Sequence, residues 1–145
     1  MKKKRILVVD DEITTTRLLK LNLEKTGVYE VLEENQGTNA LNSARAFQPD
    51  FMILDVCMPG ITGGELAARF ATDPHLKCVP LVFLTSMVSQ EEAGGESLLS
   101  GNYHFLPKPV SLRSLVLHIE KAVTVQAGPS EAVPQDSQAP GTTSS

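Results

Sequence analysis

The stretch Ile6-Leu7-Val8-Val9-Asp10-Asp11-Glu12 decides how this chain is read. Four apolar residues run directly into three carboxylates. A short, unbroken apolar run marks a strand buried on both faces, as in a parallel sheet covered by helices. The carboxylates at its end repel one another, so something must hold them there. They either cap a turn and the helix that follows, or they hold a cation.

Working outward, further apolar runs recur at 29–32, 51–54, 81–84 and 103–106. The runs at 51–54 and 81–84 are nearly continuous, like the first. The run at 29–32 is mixed with Glu30, Glu33 and Glu34, as an edge strand would be. The segments between read as helices. Residues 12–26 carry Leu19 and Leu23 four apart, and Gly27 closes that helix. Thr14-Thr15-Thr16 make a weak helical start, because β-branched residues lose rotamer freedom there. Residues 38–47 and 64–71 are expected helices, followed by Pro49 and by Asp73-Pro74. Ser111 opens the last, with Leu112, Leu115, Ile119 and Val123 on one face. The segment 89–100 is expected to be a short or loose helix. Gly94-Gly95 lies in its middle, and each glycine costs a helix about 1 kcal/mol against alanine.

Strands alternating with helices imply an α/β, doubly wound sheet. Such sheets bind ligands outside the carboxyl ends of their strands. Asp10 and Asp11 follow the first strand, Asp55 the third, Thr85 and Ser86 the fourth and Lys108 the fifth. These side chains are expected to converge on one crevice. Mg²⁺ is the natural counter-ion for its acids, being a hard cation that takes one or two carboxylates and accepts phosphate oxygens. A carboxylate can also attack a phosphoryl group and form an aspartyl-phosphate. The phosphoryl oxygens then need a metal, a cationic donor and a hydroxyl. Asp55, Mg²⁺, Lys108 and Thr85 answer that description.

The chain resembles the receiver domain of two-component response regulators, of the chemotaxis single-domain type. The resemblance covers about residues 5–125. It rests on "VVDDE" (8–12), "ILDVCMPGITG" (53–63), "LTS" (84–86) and "PKPV" (107–110), in that order. The spacing also fits, with 44 positions from Asp11 to Asp55 and 30 from Asp55 to Thr85. The expected architecture is a five-stranded parallel sheet in the flavodoxin-like order 2-1-3-4-5, with helices on both faces.

The resemblance implies roles residue by residue. Asp55 is the phosphoacceptor, charged from a phosphohistidine on a sensor histidine kinase or a histidine phosphotransfer protein. Asp10, Asp11, a carboxylate oxygen of Asp55 and the backbone carbonyl of Cys57 hold Mg²⁺. Lys108 pairs with Asp55 at rest and with the phosphoryl group afterwards. Thr85 moves its hydroxyl to the phosphoryl group, and Phe105 is the switch aromatic that turns inward with it. The Lys108–Pro109 peptide is cis. Phe105 lacks the hydroxyl of the tyrosine often found at that position, so its switching would work by packing alone. Pro107 stiffens the strand end and removes a ladder donor. Cys57 and Met87, two residues after Asp55 and Thr85, are poor at orienting a water, which implies slow self-dephosphorylation.

Composition narrows the alternatives. The 145 residues suggest one domain, and 41% are hydrophobic, enough for a core without staples. The net charge of −4 argues against direct nucleic-acid binding. Cys57 and Cys78 fit neither a zinc site nor a disulfide framework. No run approaches the ~18 apolar residues of a membrane span, and the apolar run after Lys2-Lys3-Lys4-Arg5 is too short for a signal peptide. A soluble, cytoplasmic protein is expected. Residues 1–125 form the expected receiver domain. Residues 126–145, rich in Pro, Ser, Gly and Ala, are an expected disordered tail or linker stub.

The reading that follows is a phosphorylation-dependent signalling switch, not an enzyme acting on other substrates. With only 20 residues after Val125, its output is expected through a partner protein on the surface of the fourth helix, fifth strand and fifth helix. The segment after Val125 could equally be a linker in a longer regulator. A constitutive adaptor with a receiver fold is the alternative. A Mg²⁺-dependent phosphatase is disfavoured, because Cys57 stands where a second acid is needed.

Overall fold

The computed structural model describes residues 2–86 and 103–132, with side chains described as far as Val123. The segment 89–100 and Met87 therefore lie outside the described residues. In chain order the elements are β1 (Lys4–Val9), α1 (Ile13–Lys25), β2 (Tyr29–Glu34), a 3₁₀ turn (Gly37–Asn39), α2 (Ala40–Phe47), β3 (Phe51–Asp55), α3 (Gly63–Ala71), β4 (Leu81–Thr85), β5 (His104–Pro107) and a last helix (Leu112–Ala132). The five strands pair in parallel, in the order β2-β1-β3-β4-β5. This is the expected doubly wound sheet, with β2 at one edge.

The apolar runs are strands because both of their faces are covered. On one face Leu7 and Val9 of β1, Met52 and Leu54 of β3 and Phe83 of β4 are buried with Ala40 and Ala44 of α2 and Leu66, Ala67 and Phe70 of α3. The alternate residues Ile6, Val8, Phe51, Ile53, Val82 and Leu84 point the other way and are also buried. On that side α1 packs along β1 and β2 through Leu19 and Leu23. Each fully buried aliphatic contributes about 1.5–3 kcal/mol.

The punctuation is mostly as expected. Gly27 takes a positive φ of 87° after α1, and its N–H reaches Glu24 O at 3.0 Å. The end of α2 is less legible, because Gln48, a non-glycine, takes the left-handed conformation there (φ 56°). The sheet and α1–α3 belong to one compact unit, Met1–Leu112, and the last helix from Arg113 onward to a second. That helix buries Leu115 and Ile119, on the expected face. The change of composition after Val125 does not end it, since it runs on through Ala132.

Candidate functional site

The carboxyl ends of β1, β3, β4 and β5 carry the candidate residues. Asp10 leaves β1, and Asp55 is the last residue of β3, where it pairs with Leu84. Thr85 ends β4 opposite Pro107 of β5, and the next residue, Lys108, donates its backbone N–H to Thr85 O at 2.9 Å. Parallel pairing in register therefore brings residues remote in sequence to one edge. Asp10, Asp55 and Thr85 are all buried there, while Asp11 and Cys57 are exposed.

Lys108 reaches across this edge. Its Nζ lies 2.8 Å from Asp10 Oδ2, 3.1 Å from Asp55 Oδ1 and 3.4 Å from Glu12 Oε1. The Lys108–Pro109 peptide is cis, as the resemblance implies. Carboxylate oxygens of Asp10, Asp11 and Asp55 lie within 4.8 Å of one another. Burial raises the Asp55 carboxyl above the usual carboxylate range, and the nearby Asp10 charge adds to this; Lys108 opposes both without prevailing. For Lys108, burial favours the neutral amine, but the contacts with Asp10 and Asp55 outweigh it and hold the ammonium well above the ordinary lysine value. The two directions are consistent, because one ammonium is shared among several carboxylates.

The atoms of Asp10 show how the edge is built. Its backbone N–H donates to Glu34 O at 3.1 Å, and its carbonyl accepts from Asn35 Nδ2 at 2.8 Å. Its Oδ1 accepts from the Glu12 N–H at 2.9 Å. Its buried Oδ2 has the Lys108 ammonium, 2.8 Å away, as its one polar partner among the described residues. That partner is shared with Asp55 and Glu12. Among the described residues the carboxylates of Asp10, Glu12 and Asp55 share the Lys108 ammonium, and Asp11 adds a further acid beside Asp10 and Asp55, so acids outnumber the base. An all-oxygen donor set with surplus negative charge fits Mg²⁺.

The turn after β3 is fixed at both ends. Gly63 N–H donates to Val56 O at 2.9 Å, and Thr62 caps α3 in a reciprocal capping box with Glu65. A Cβ on Gly63 would stand 2.4 Å from the Asp55 carbonyl oxygen, so only glycine lets the helix start this close to the site. Gly60, after Pro59, has φ 85°, the value a type II turn requires at its third position.

Phe105 lies on β5 directly beside Phe83, half-buried and stacked on it at 5.0 Å between centroids, with Tyr103 edge-on to Phe83 at 5.3 Å. The structure thus gathers Asp10, Asp11, Asp55 and Lys108, joins Thr85 to Lys108 through the backbone, and places Phe105 in an aromatic stack. Sequence reasoning missed the Glu12 contact with Lys108 and missed Asn35 and Thr16. An amide just past a glutamate-rich strand reads only as a turn residue.

Comparison with known proteins gives this edge a family. The response regulator receiver domain matches residues 6–120. The phosphate regulon transcriptional regulatory protein PhoB of Pseudomonas aeruginosa is 35% identical over 137 residues, covering 94% of this chain and 56% of PhoB. The chemotaxis protein CheY of the same organism is 32% identical over 117 residues, covering 81% of this chain and 94% of CheY. The chain thus spans about half the length of PhoB, and 23% of response regulator PleD of Caulobacter vibrioides. Among solved structures, the chemotaxis response regulator CheY4 of Vibrio cholerae superposes with a TM-score of 0.69 at 26% identity, covering 83% of this chain and 99% of that one. Among the described residues no helix is long and apolar enough to cross a membrane. Since the match runs from Ile6 in β1 to beyond β5 and takes in the acids and lysine at the strand ends, this chain belongs to the response regulator receiver domains of two-component signalling.

Proposed function

We propose that the chain is a phosphoacceptor switch in a two-component phosphorelay, with Asp55 as the acceptor. The observation that carries this reading is the position of Lys108 Nζ, within 3.1 Å of the Asp55 carboxylate and 2.8 Å of Asp10 at a buried, acid-rich edge. In the transfer, an Asp55 carboxylate oxygen attacks the phosphorus of a phosphohistidine on a sensor kinase or phosphotransfer protein. The P–N bond breaks, its electron pair returns to the imidazole nitrogen, and an acyl phosphate forms. Lys108 stays charged through this step and faces the new phosphoryl oxygens once Asp55 has lost its own charge.

Asp10, Asp11, Asp55 and the Cys57 carbonyl are the groups that would hold Mg²⁺. The ion supplies charge neutralisation at the phosphoryl oxygens. Thr85 supplies a hydroxyl, and Phe105 responds through its packing on Phe83. The altered surface then controls a partner protein. The domain catalyses only its own phosphoryl transfer and a slow hydrolysis, because Cys57 cannot orient a water well. It works in the cytoplasm, without nucleic acid or membrane as direct partners.

The test is intact-mass spectrometry after incubation with Mg²⁺ and acetyl phosphate. One added phosphoryl group is expected, absent with EDTA and absent in Asp55→Asn. A folded protein that gains nothing sinks the proposal and favours an adaptor that works unphosphorylated. A phosphoryl half-life of seconds would overturn the slow hydrolysis.

A further inference from the structure

Behind Asp10 lies a chain of hydrogen bonds that the receiver reading does not use. Asn35 Nδ2 donates to Asp10 O at 2.8 Å and to Thr16 Oγ1 at 2.9 Å. Thr16 is fully buried in α1, and its hydroxyl donates to Glu33 Oε1 at 2.8 Å. Glu33 Oε2 accepts from Arg17 Nε at 2.9 Å. These bonds link the exit of β2 and the first turns of α1 to the main chain of Asp10, whose Oδ2 faces the Lys108 ammonium.

The geometry points to Asn35 and Thr16 as positioning residues that aim the Asp10 carboxylate at a divalent cation. This rests on the Mg²⁺ reading above. The chemistry of each residue is specific. The Asn35 amide nitrogen has two N–H groups, one for the Asp10 carbonyl and one for Thr16 Oγ1. The Thr16 hydroxyl accepts from that amide and has one proton to donate, for which Glu33 Oε1 at 2.8 Å is nearer than Ile13 O at 3.1 Å. Glu33 is kept ionised for its part. Burial works against the charge, but hydrogen bonds from Arg17 and Thr16 prevail and lower its carboxyl below the usual value. With its N–H, carbonyl and Oδ1 all anchored, Asp10 has little freedom left. Its Oδ2 is held in place before a cation arrives, and such outer contacts typically set a site's metal affinity.

The experiment titrates the full chain with Mg²⁺ alone, following the backbone amide shifts of Asp11 and Glu12 by NMR, with the melting temperature measured alongside. Asn35→Ala and Thr16→Val are expected to weaken Mg²⁺ binding by about 10-fold, and Thr16→Ser to restore it. Asn39→Ala, which among the described residues removes side-chain bonds to Glu34 and Ser43, is expected to bind as the wild type does. Asn35 sits on a half-exposed loop, so Asn35→Ala decides the matter if Thr16→Val does not fold. Unchanged affinity in Asn35→Ala, or an equal loss in Asn39→Ala, overturns the positioning role. A wild-type protein that binds no Mg²⁺ overturns the metal reading first, and the positioning role with it.

Discussion

Lys108 Nζ stands 3.1 Å from Asp55 Oδ1, an ammonium against a carboxylate that is almost fully buried. The same ammonium serves Asp10. Lys108→Met therefore leaves two buried carboxylates facing each other without a counter-charge. Removing one partner of a buried pair costs about 3 kcal/mol. Urea denaturation at neutral pH is expected to show a loss of that order, largely recovered on adding Mg²⁺. A variant as stable as the wild type without Mg²⁺ would contradict this.

The Asp55 carboxyl is raised in the folded protein by burial and by Asp10. A raised carboxyl favours the fold when protonated. That contribution is fully present below the ordinary aspartate value of about 4 and is lost as pH rises through the folded value. Without divalent cations, Asp55→Asn is thus expected to melt higher than the wild type at neutral pH, the gap closing as pH falls towards 4. Parallel melting curves from neutral to acid pH check this, and a gap that widens on acidification would contradict it.

Gly63 and Gly64 are neighbours at the start of α3 with opposite expectations. Alanine at 63 would press on the Asp55 carbonyl oxygen at 2.4 Å, whereas at 64 the nearest atom is 3.9 Å away. Gly63→Ala is expected to destabilise by about 2–3 kcal/mol and to impair phosphoryl acceptance. Gly64→Ala is expected to stabilise by roughly 0.5–1 kcal/mol, because alanine costs less to order in a helix. Chemical denaturation of the two variants side by side provides the check.

Phe105 stacks on Phe83 across β4 and β5. A double-mutant cycle with Phe83→Leu and Phe105→Leu is expected to give a coupling of about 0.5–1.5 kcal/mol. A coupling near zero would mean that the two rings are neighbours without mutual support.

Much of this fold is written in local pattern. The unbroken runs at Ile6–Val9 and Phe51–Leu54 fill both faces of the sheet, and the acids that follow them fall at its edge. The site residues were legible for the same reason, since parallel strands must end on the same side. Three features were not. Gln48 adopts a left-handed conformation that its chemistry does not announce. Thr16 looks like a poor helix former, yet its hydroxyl is buried between Asn35 and Glu33, a reason that lies on β2 and the residue after it. Glu12 reads as the end of an acidic run, and only the path of Lys108 shows the contact between them. In each case the deciding partner is set by tertiary geometry and leaves no periodic trace.

The ammonium at the strand ends comes from a residue 98 positions after Asp10 (108 − 10). On a ribosome, chains begin to organise from their N-terminal side. Asp10, Asp11 and Asp55 are all synthesised well before Lys108, and β1 and β3 can pair while β5 is still being made. A nascent chain at that stage carries the crowded acids without their lysine. A cation held among these acids would, at that stage, offset the repulsion that Lys108 relieves in the finished fold.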